Sequence, residues 1–370
     1  MKTAPAMVKS RKTKRGRFRM VDKLESLFEQ YVHDHHFSGT ALIRGGEATL
    51  FERACGYAHR GFKVPNGMRT KFDTASVTKL FTAVAVLQLV DCGMLGLDDR
   101  IVDRVDLTGT CIPEDVTLAH LLTHTSGIAD DADEELGESY EALFVSKPNY
   151  SIRHNADFIP QFAYKKPKFK AGTDVSYNNC AYVLLGLAIK QATGMGYRDY
   201  VDRHVFRACG MDDTSFAAKD EGDAAVAEGY EAEYDEYGQV KWRKNVYSFP
   251  PIGTSDGGAY TTVGDLDTFM RALAGGRLLS RERTEAIMKP QARLAKSYGR
   301  GTVVNGYGFH FVYDGAGKLV CMYKDGANAG VAAMLAYYPD AETTSIILGN
   351  QTCDIWELHR EAERLLFDAT

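Results

Sequence analysis

Strand-like and helix-like texture are segregated along this chain, and that segregation limits its fold more than any other feature. Near the N-terminus, residues 40–43 and 48–51 flank Gly45-Gly46, the pattern of a hairpin over 38–57. Strand texture returns only after residue 306, over 307–313, 319–323, 331–338 and 343–348. Between the two the reading is mostly helical, with helices expected over 76–92, 118–122, 179–192 and 197–208, then over 263–274 and 281–288. An amphipathic helix over 21–34, with Leu24, Leu27, Phe28 and Tyr31 on one face, and a helix over 355–367 bracket the whole. Strands at both ends with helices between imply an α/β (α+β) chain. Residues 21–75 and 255–370 are expected to form one discontinuous domain, with a mostly helical domain, 76–254, inserted and an active site in the groove between them.

The helix over 76–92 is apolar almost all round (Leu80, Phe81, Val84, Val86, Leu87, Leu89, Val90), so it is expected to be buried, capped by Asp73 or Thr74 and ended by Gly93. Its first turn carries Ser76 and Lys79, three residues apart and therefore on one face. A serine hydroxyl is a weak nucleophile until a base removes its proton, and a partly desolvated lysine is such a base. The spacing alone recurs by chance, so its meaning depends on partners. Two further clusters offer them. In Tyr177-Asn178-Asn179, a phenol near lysines relays protons and an asparagine holds a substrate amide or a lysine; the plain alternative is a polar turn. In Lys324-Asp325-Gly326-Ala327, between two expected strands, a lysine gives fixed charge, a glycine permits close backbone approach, and the following amide is available to an oxyanion; the plain alternative is a hairpin turn.

Competing sites are weaker. Gly253-Thr254-Ser255-Asp256-Gly257 fits the Gly-x-Ser-x-Gly pattern, but Pro250-Pro251 before it and Gly257-Gly258 after it make a loop, not a strand-to-helix elbow. His120 and His124 are spaced like a metal pair but lack a zincin glutamate or an evident third ligand, and His35-His36 is similar, so structural roles are expected and no metal or cofactor. Seven acids over 130–141 are expected to form a solvated loop or a lid that disfavours anionic substrates.

Composition narrows the classes of function. The net charge of −5 predicts no nucleic-acid partner, and no apolar run reaches the length of a membrane span. Cys55, Cys92, Cys111, Cys180, Cys209, Cys321 and Cys353 are scattered without a Cys-x-x-Cys, which reads as free thiols in a reducing compartment. Residues 1–20 hold eight Lys or Arg and no acid, without the apolar core of a signal peptide. The expectation is a disordered basic extension, with Met20 as the alternative start, or an arm that meets an anionic surface; a cytoplasmic location follows.

With these residues in view, the chain resembles the penicillin-recognising serine hydrolases, in particular the class C β-lactamase, D,D-peptidase and related esterase branch. The ordered motifs Ser-x-x-Lys, Tyr-x-Asn and Lys- or His-x-Gly stand here as Ser76/Lys79, Tyr177/Asn179 and Lys324/Gly326. Accompanying segments at 121–128, 184–186 with Thr193-Gly194, 209–214 and 257–262 are similar too, and the likeness spans roughly 22–368. The resemblance implies an antiparallel sheet flanked by helices and a hydrolase that forms an acyl-enzyme on an amide, lactam or ester carbonyl of a small molecule or short peptide. It implies Ser76 as nucleophile, Lys79 and Tyr177 moving its proton, and Asn179 holding substrate or Lys79. It further implies an oxyanion hole from the Ser76 and Ala327 amides, with Lys324 steering a carboxylate or supporting Tyr177. Asp325, where Thr or Ser is usual in the lactamases, and the missing export signal weaken the lactam reading, leaving esters and D-amino-acid peptides as alternatives. A silent binding or scaffold protein on the same fold is the reading of another class.

Overall fold

The computed structural model describes residues 14–133, 137–292, 295–298 and 301–367. The basic extension expected over 1–20 therefore lies mostly outside the described residues. Where description begins, helix α1 (Lys14–His35) is already formed, earlier than the start at 21 that the sequence suggests. The reason is packing: Met20, Leu24 and Phe28 are buried along one i, i+4 stripe, so the apolar face runs a turn further towards the N-terminus.

The strands β1 (Gly39–Gly45), β2 (Ala48–Cys55), β3 (Ala295–Tyr298), β4 (Gly301–Asn305), β5 (His310–Tyr313), β6 (Leu319–Asn328), β7 (Val331–Tyr338) and β8 (Thr343–Gly349) form an eight-stranded sheet in the order β2-β1-β8-β7-β6-β5-β4-β3. Every neighbour pair is antiparallel. The central strands are apolar on both faces, and period-two alternation sorts their side chains. Ala41, Ile43, Met334 and Ile347 join one core, under α1 and helix α5 (Ile355–Phe367). Leu42, Ala333, Leu335, Ile346 and Leu348 join the larger core on the other side. There helix α4 (Val263–Ala274) packs on β1 and β8. Helix α2 (Thr78–Asp91) lies against α3 (Asn179–Thr193) in the same core. As its all-round apolar sequence requires, α2 is buried from Thr78 through Leu87.

The mixed fold with an antiparallel sheet between helices is the expected one, but β3 and β4 precede residue 306, after which strands are expected to return, and three further details differ from the sequence reading. First, β6 does not stop at 323; it continues to Asn328, so Lys324-Asp325-Gly326-Ala327 lies within a strand and not in a hairpin turn. Second, 307–309 is not strand: Gly308 has φ +82° and the Gly306 N–H closes a turn on the Phe309 carbonyl. Third, a hairpin of Tyr230–Tyr234 with Val240–Lys244 interrupts a region read as helical. It is exposed and alternates charge more than hydrophobicity, with Glu231 opposite Arg243 and ion-paired to it, so it lacks the apolar signal of a strand. No helix among the described residues is long and apolar enough to cross a membrane.

Candidate active site

A short strand, Phe72–Asp73, pairs with Tyr260–Thr261 and delivers the chain to α2. Between them Ala75 takes φ +41°, a left-handed value that costs a non-glycine residue roughly 1 kcal/mol or more. The Asp73 carboxylate accepts the Ala75 N–H at 2.8 Å and the Gly258 N–H binds the Ala75 carbonyl at 3.3 Å, which hold the turn. Asp73 thus caps a 3-10 turn, Ala75–Val77, not α2 itself, while the Thr74 hydroxyl turns away to the Ala259 carbonyl at 2.8 Å. Ser76 sits in that turn and Lys79 on the first turn of α2, and they still share one face: Lys79 Nζ donates to Ser76 Oγ at 2.9 Å.

The other expected residues converge on this pair. Tyr177 Oη donates to Ser76 Oγ at 2.6 Å. Lys79, 0% exposed, also donates to Asn179 Oδ1 at 2.7 Å and to the Asp256 carbonyl at 2.6 Å. Lys324 is nearly as buried, with Nζ 4.8 Å from the centre of the Tyr177 ring and 3.6 Å from Asp325 Oδ1. Gly326 explains itself by distance. A Cβ there would stand 2.2 Å from the Thr74 carbonyl oxygen and 2.8 Å from the Ser76 amide nitrogen, so only glycine lets β6 approach the turn. Ala327 follows and lines the same cleft as Ser76 and Asn179.

Several contributors escape a sequence reading. Asp256 is one: the loop dismissed as a nucleophile elbow supplies the carbonyl that holds Lys79, while Ser255 itself is fully buried and donates to the Tyr182 carbonyl at 2.7 Å. His124 is another. Its ring lies 4.6 Å from that of Tyr177, and its Nδ1 accepts the Asn178 N–H at 3.2 Å. Burial, reinforced by Lys324 and Lys79, pushes its imidazole well below the ordinary range, which keeps it neutral beside two cations. His310 behaves alike: burial and Lys324 push it down to about 3, and its Nε2 stands 3.5 Å from Lys324 Nζ. His120 caps its own helix by accepting the Thr117 N–H at 3.2 Å, so His120 and His124 do not face one ligand.

The acidic run is not a bare lid. Asp130 and Asp131 are buried, and Asp133 and Glu141 pair with Lys168 and Arg243; Glu134 and Glu135 lie outside the described residues. Asp130, Asp131 and Cys180 are close enough to share an ion, but both Asp130 oxygens are already taken: they accept the Asn179 and Cys180 N–H groups at 2.8 and 2.9 Å. A carboxylate on the first two amides of α3 satisfies orphan donors and matches the helix dipole. It also fixes the backbone that carries Tyr177 and Asn179. Asp130→Ala leaves those buried amides unmatched and is expected to lower stability by about 2 kcal/mol. The check is the urea unfolding midpoint, and an unshifted midpoint contradicts the role.

The chain's similarities agree with this geometry. The family model described as beta-lactamase matches residues 24–369. Penicillin-binding protein 4* of Bacillus subtilis (strain 168) is 29% identical over 362 residues, 93% of this chain and 75% of that protein. Esterase EstB of Burkholderia gladioli is 29% identical over 338 residues, 83% of this chain and 81% of that one. Among solved structures, the penicillin binding protein from Bacillus halodurans superposes with a TM-score of 0.84 at 34% identity, covering 92% of this chain and 99% of its own.

Proposed function

Because this chain belongs to the beta-lactamase family of serine hydrolases, we propose that it hydrolyses a small ester or amide through an acyl-enzyme on Ser76. The observation that carries this reading is the position of Ser76 Oγ, within hydrogen-bond reach of both Tyr177 Oη and Lys79 Nζ.

The proton inventory supports Lys79 as the group that accepts the serine proton. A neutral amine has two N–H groups and one lone pair. Two Lys79 partners, Asn179 Oδ1 and the Asp256 carbonyl, only accept. Once the amine is neutral, its lone pair is left facing Ser76 Oγ. Attack on the substrate carbonyl then places negative charge on oxygen, where the Ser76 and Ala327 amides stabilise it. Tyr177 passes the proton to the leaving group; Lys324 and Lys79, 4.8 and 5.1 Å from its ring centre, favour negative charge on its oxygen. Water reverses the sequence and frees the acid.

Lys324 in this reading supports Tyr177 and does not meet a substrate carboxylate: its side chain is 2% exposed and has Asp325 at 3.6 Å. That favours esters over the anionic β-lactams and peptides. Penicillin-binding and esterase names both occur among the relatives. A panel of nitrocefin, short-chain p-nitrophenyl esters and D-alanyl amides separates them. Ester turnover with a covalent adduct on Ser76 is expected, and turnover of nitrocefin alone contradicts the ester assignment.

Gly326 gives a further check. Gly326→Ala forces a Cβ against the Thr74 carbonyl and the Ser76 amide and is expected to lower kcat by roughly a hundredfold or more, the usual effect of disturbing one oxyanion donor. The measurement is kcat on the best ester of the panel, and a variant with wild-type kcat contradicts the close packing.

A further inference from the structure

The cleft beside Ser76 contains a lysine that none of the three motifs includes. Lys219 lines it together with Asp73, Phe249, Pro250, Asn179 and Ala327, whereas Tyr177 and Lys324 do not. Its backbone is pinned, the N–H donating to the Pro251 carbonyl at 2.7 Å. Its ammonium lies 3.1 Å from the centre of the Phe249 ring. It donates to Asn245 through the backbone carbonyl at 3.1 Å and Oδ1 at 3.5 Å. An ammonium has three donors, and these acceptors are neutral and come from one residue.

The side of the cleft decides which part of a substrate meets Lys219. The leaving group takes its proton from the Tyr177–Lys79 side and departs there. The acyl part therefore lies in the cleft, away from Tyr177, with Lys219 in its wall. On the reading that Ser76 is acylated, we propose that Lys219 is a specificity-determining residue that receives a carboxylate at the distal end of the acyl group, so that half-esters of short dicarboxylic acids are preferred to uncharged esters of the same length.

The electrostatics are compatible with an anion beside Lys219. Burial draws the Lys219 ammonium down to about 7, against an opposing pull from Asp73. An acyl carboxylate would add a direct charge-assisted acceptor to the influence that Asp73 already exerts on the ammonium. Asp73 and Asp256 line the same cleft, but burial raises both carboxyls, which weakens their repulsion of an incoming anion. The Asp73 Oδ1 is in any case engaged by the Ala75 N–H.

The test compares mono-p-nitrophenyl glutarate with p-nitrophenyl pentanoate, corrected for spontaneous hydrolysis, in wild type, Lys219→Met and Lys219→Arg. The wild type is expected to favour the glutarate in kcat/KM. Lys219→Met is expected to lower the glutarate-to-pentanoate ratio roughly 10- to 100-fold, the worth of one charge-assisted hydrogen bond, and Lys219→Arg to keep most of it. Should Lys219→Met fail to fold, product inhibition of the wild type decides: free glutarate is expected to compete against the neutral ester better than pentanoate does. An unchanged ratio, or equal inhibition by the two acids, in protein that still takes a fluorophosphonate label at Ser76 overturns the Lys219 assignment alone. Absence of both turnover and label overturns the acyl-enzyme reading, and the assignment with it.

Discussion

Ser76→Ala is expected to lower kcat on every ester or amide the protein accepts by roughly five to six powers of ten, while the fold stays intact. The size follows from the geometry. Tyr177 Oη and Lys79 Nζ both converge on this one oxygen, while the other serine of interest, Ser255, is fully buried and bonded to the Tyr182 carbonyl and Asn155. Removing Oγ therefore removes the covalent step and leaves only binding and the oxyanion amides. The fold should not suffer, because Ser76 lies in a cleft wall and its donor Lys79 retains Asn179 and Asp256. The comparison of kcat at saturating ester with the urea midpoint separates the two effects. A variant retaining a tenth of wild-type kcat would place the nucleophile elsewhere.

Lys79→Met should come next in size. Methionine keeps the length of the side chain inside α2 and removes all three donors. Loss of a positioned proton carrier costs about 10² to 10⁴ in rate. The same change removes a donor from buried Asn179 Oδ1 and from the partly buried Asp256 carbonyl, so a stability loss of about 1 to 3 kcal/mol accompanies it. The two effects are read apart by kcat and by the unfolding midpoint. A residual activity that rises when small amines are added would show the missing proton carrier directly. Wild-type kcat in a folded Lys79→Met protein would mean that Tyr177 acts without the amine.

Much of this was visible in the residues before any coordinates. Ser76, Lys79, Tyr177, Asn179 and Lys324 are recognisable as candidates because the order of their motifs matches a known family. The sheet was legible where alternation or unbroken apolar runs mark buried strands, as in β7 and β8. It was not legible in β3 and β4, which have mixed polarity, or in the 230–244 hairpin, whose strands are held by cross-strand charge. The end of β6 is hidden for a physical reason: Lys324-Asp325-Gly326 reads as a turn, yet Gly326 is there for close approach to Thr74 and Ser76. His124, His310, Asp130 and Asp256 could not be found from local pattern at all. Their parts in the site depend on tertiary contacts, from 14 residues apart for His310 and Lys324 to 177 for Asp256 and Lys79. A histidine kept neutral by burial beside two lysines leaves no mark in a sequence.

The central claim is that Ser76 carries the acyl group, and peptide mapping by mass spectrometry after fluorophosphonate treatment tests it most directly. The expected result is one added phosphonyl group per chain, on the peptide that contains Ser76, lost in Ser76→Ala and strongly slowed in Lys79→Met. A label on any other residue, or a protein that hydrolyses esters without ever taking the label at Ser76, would contradict the account.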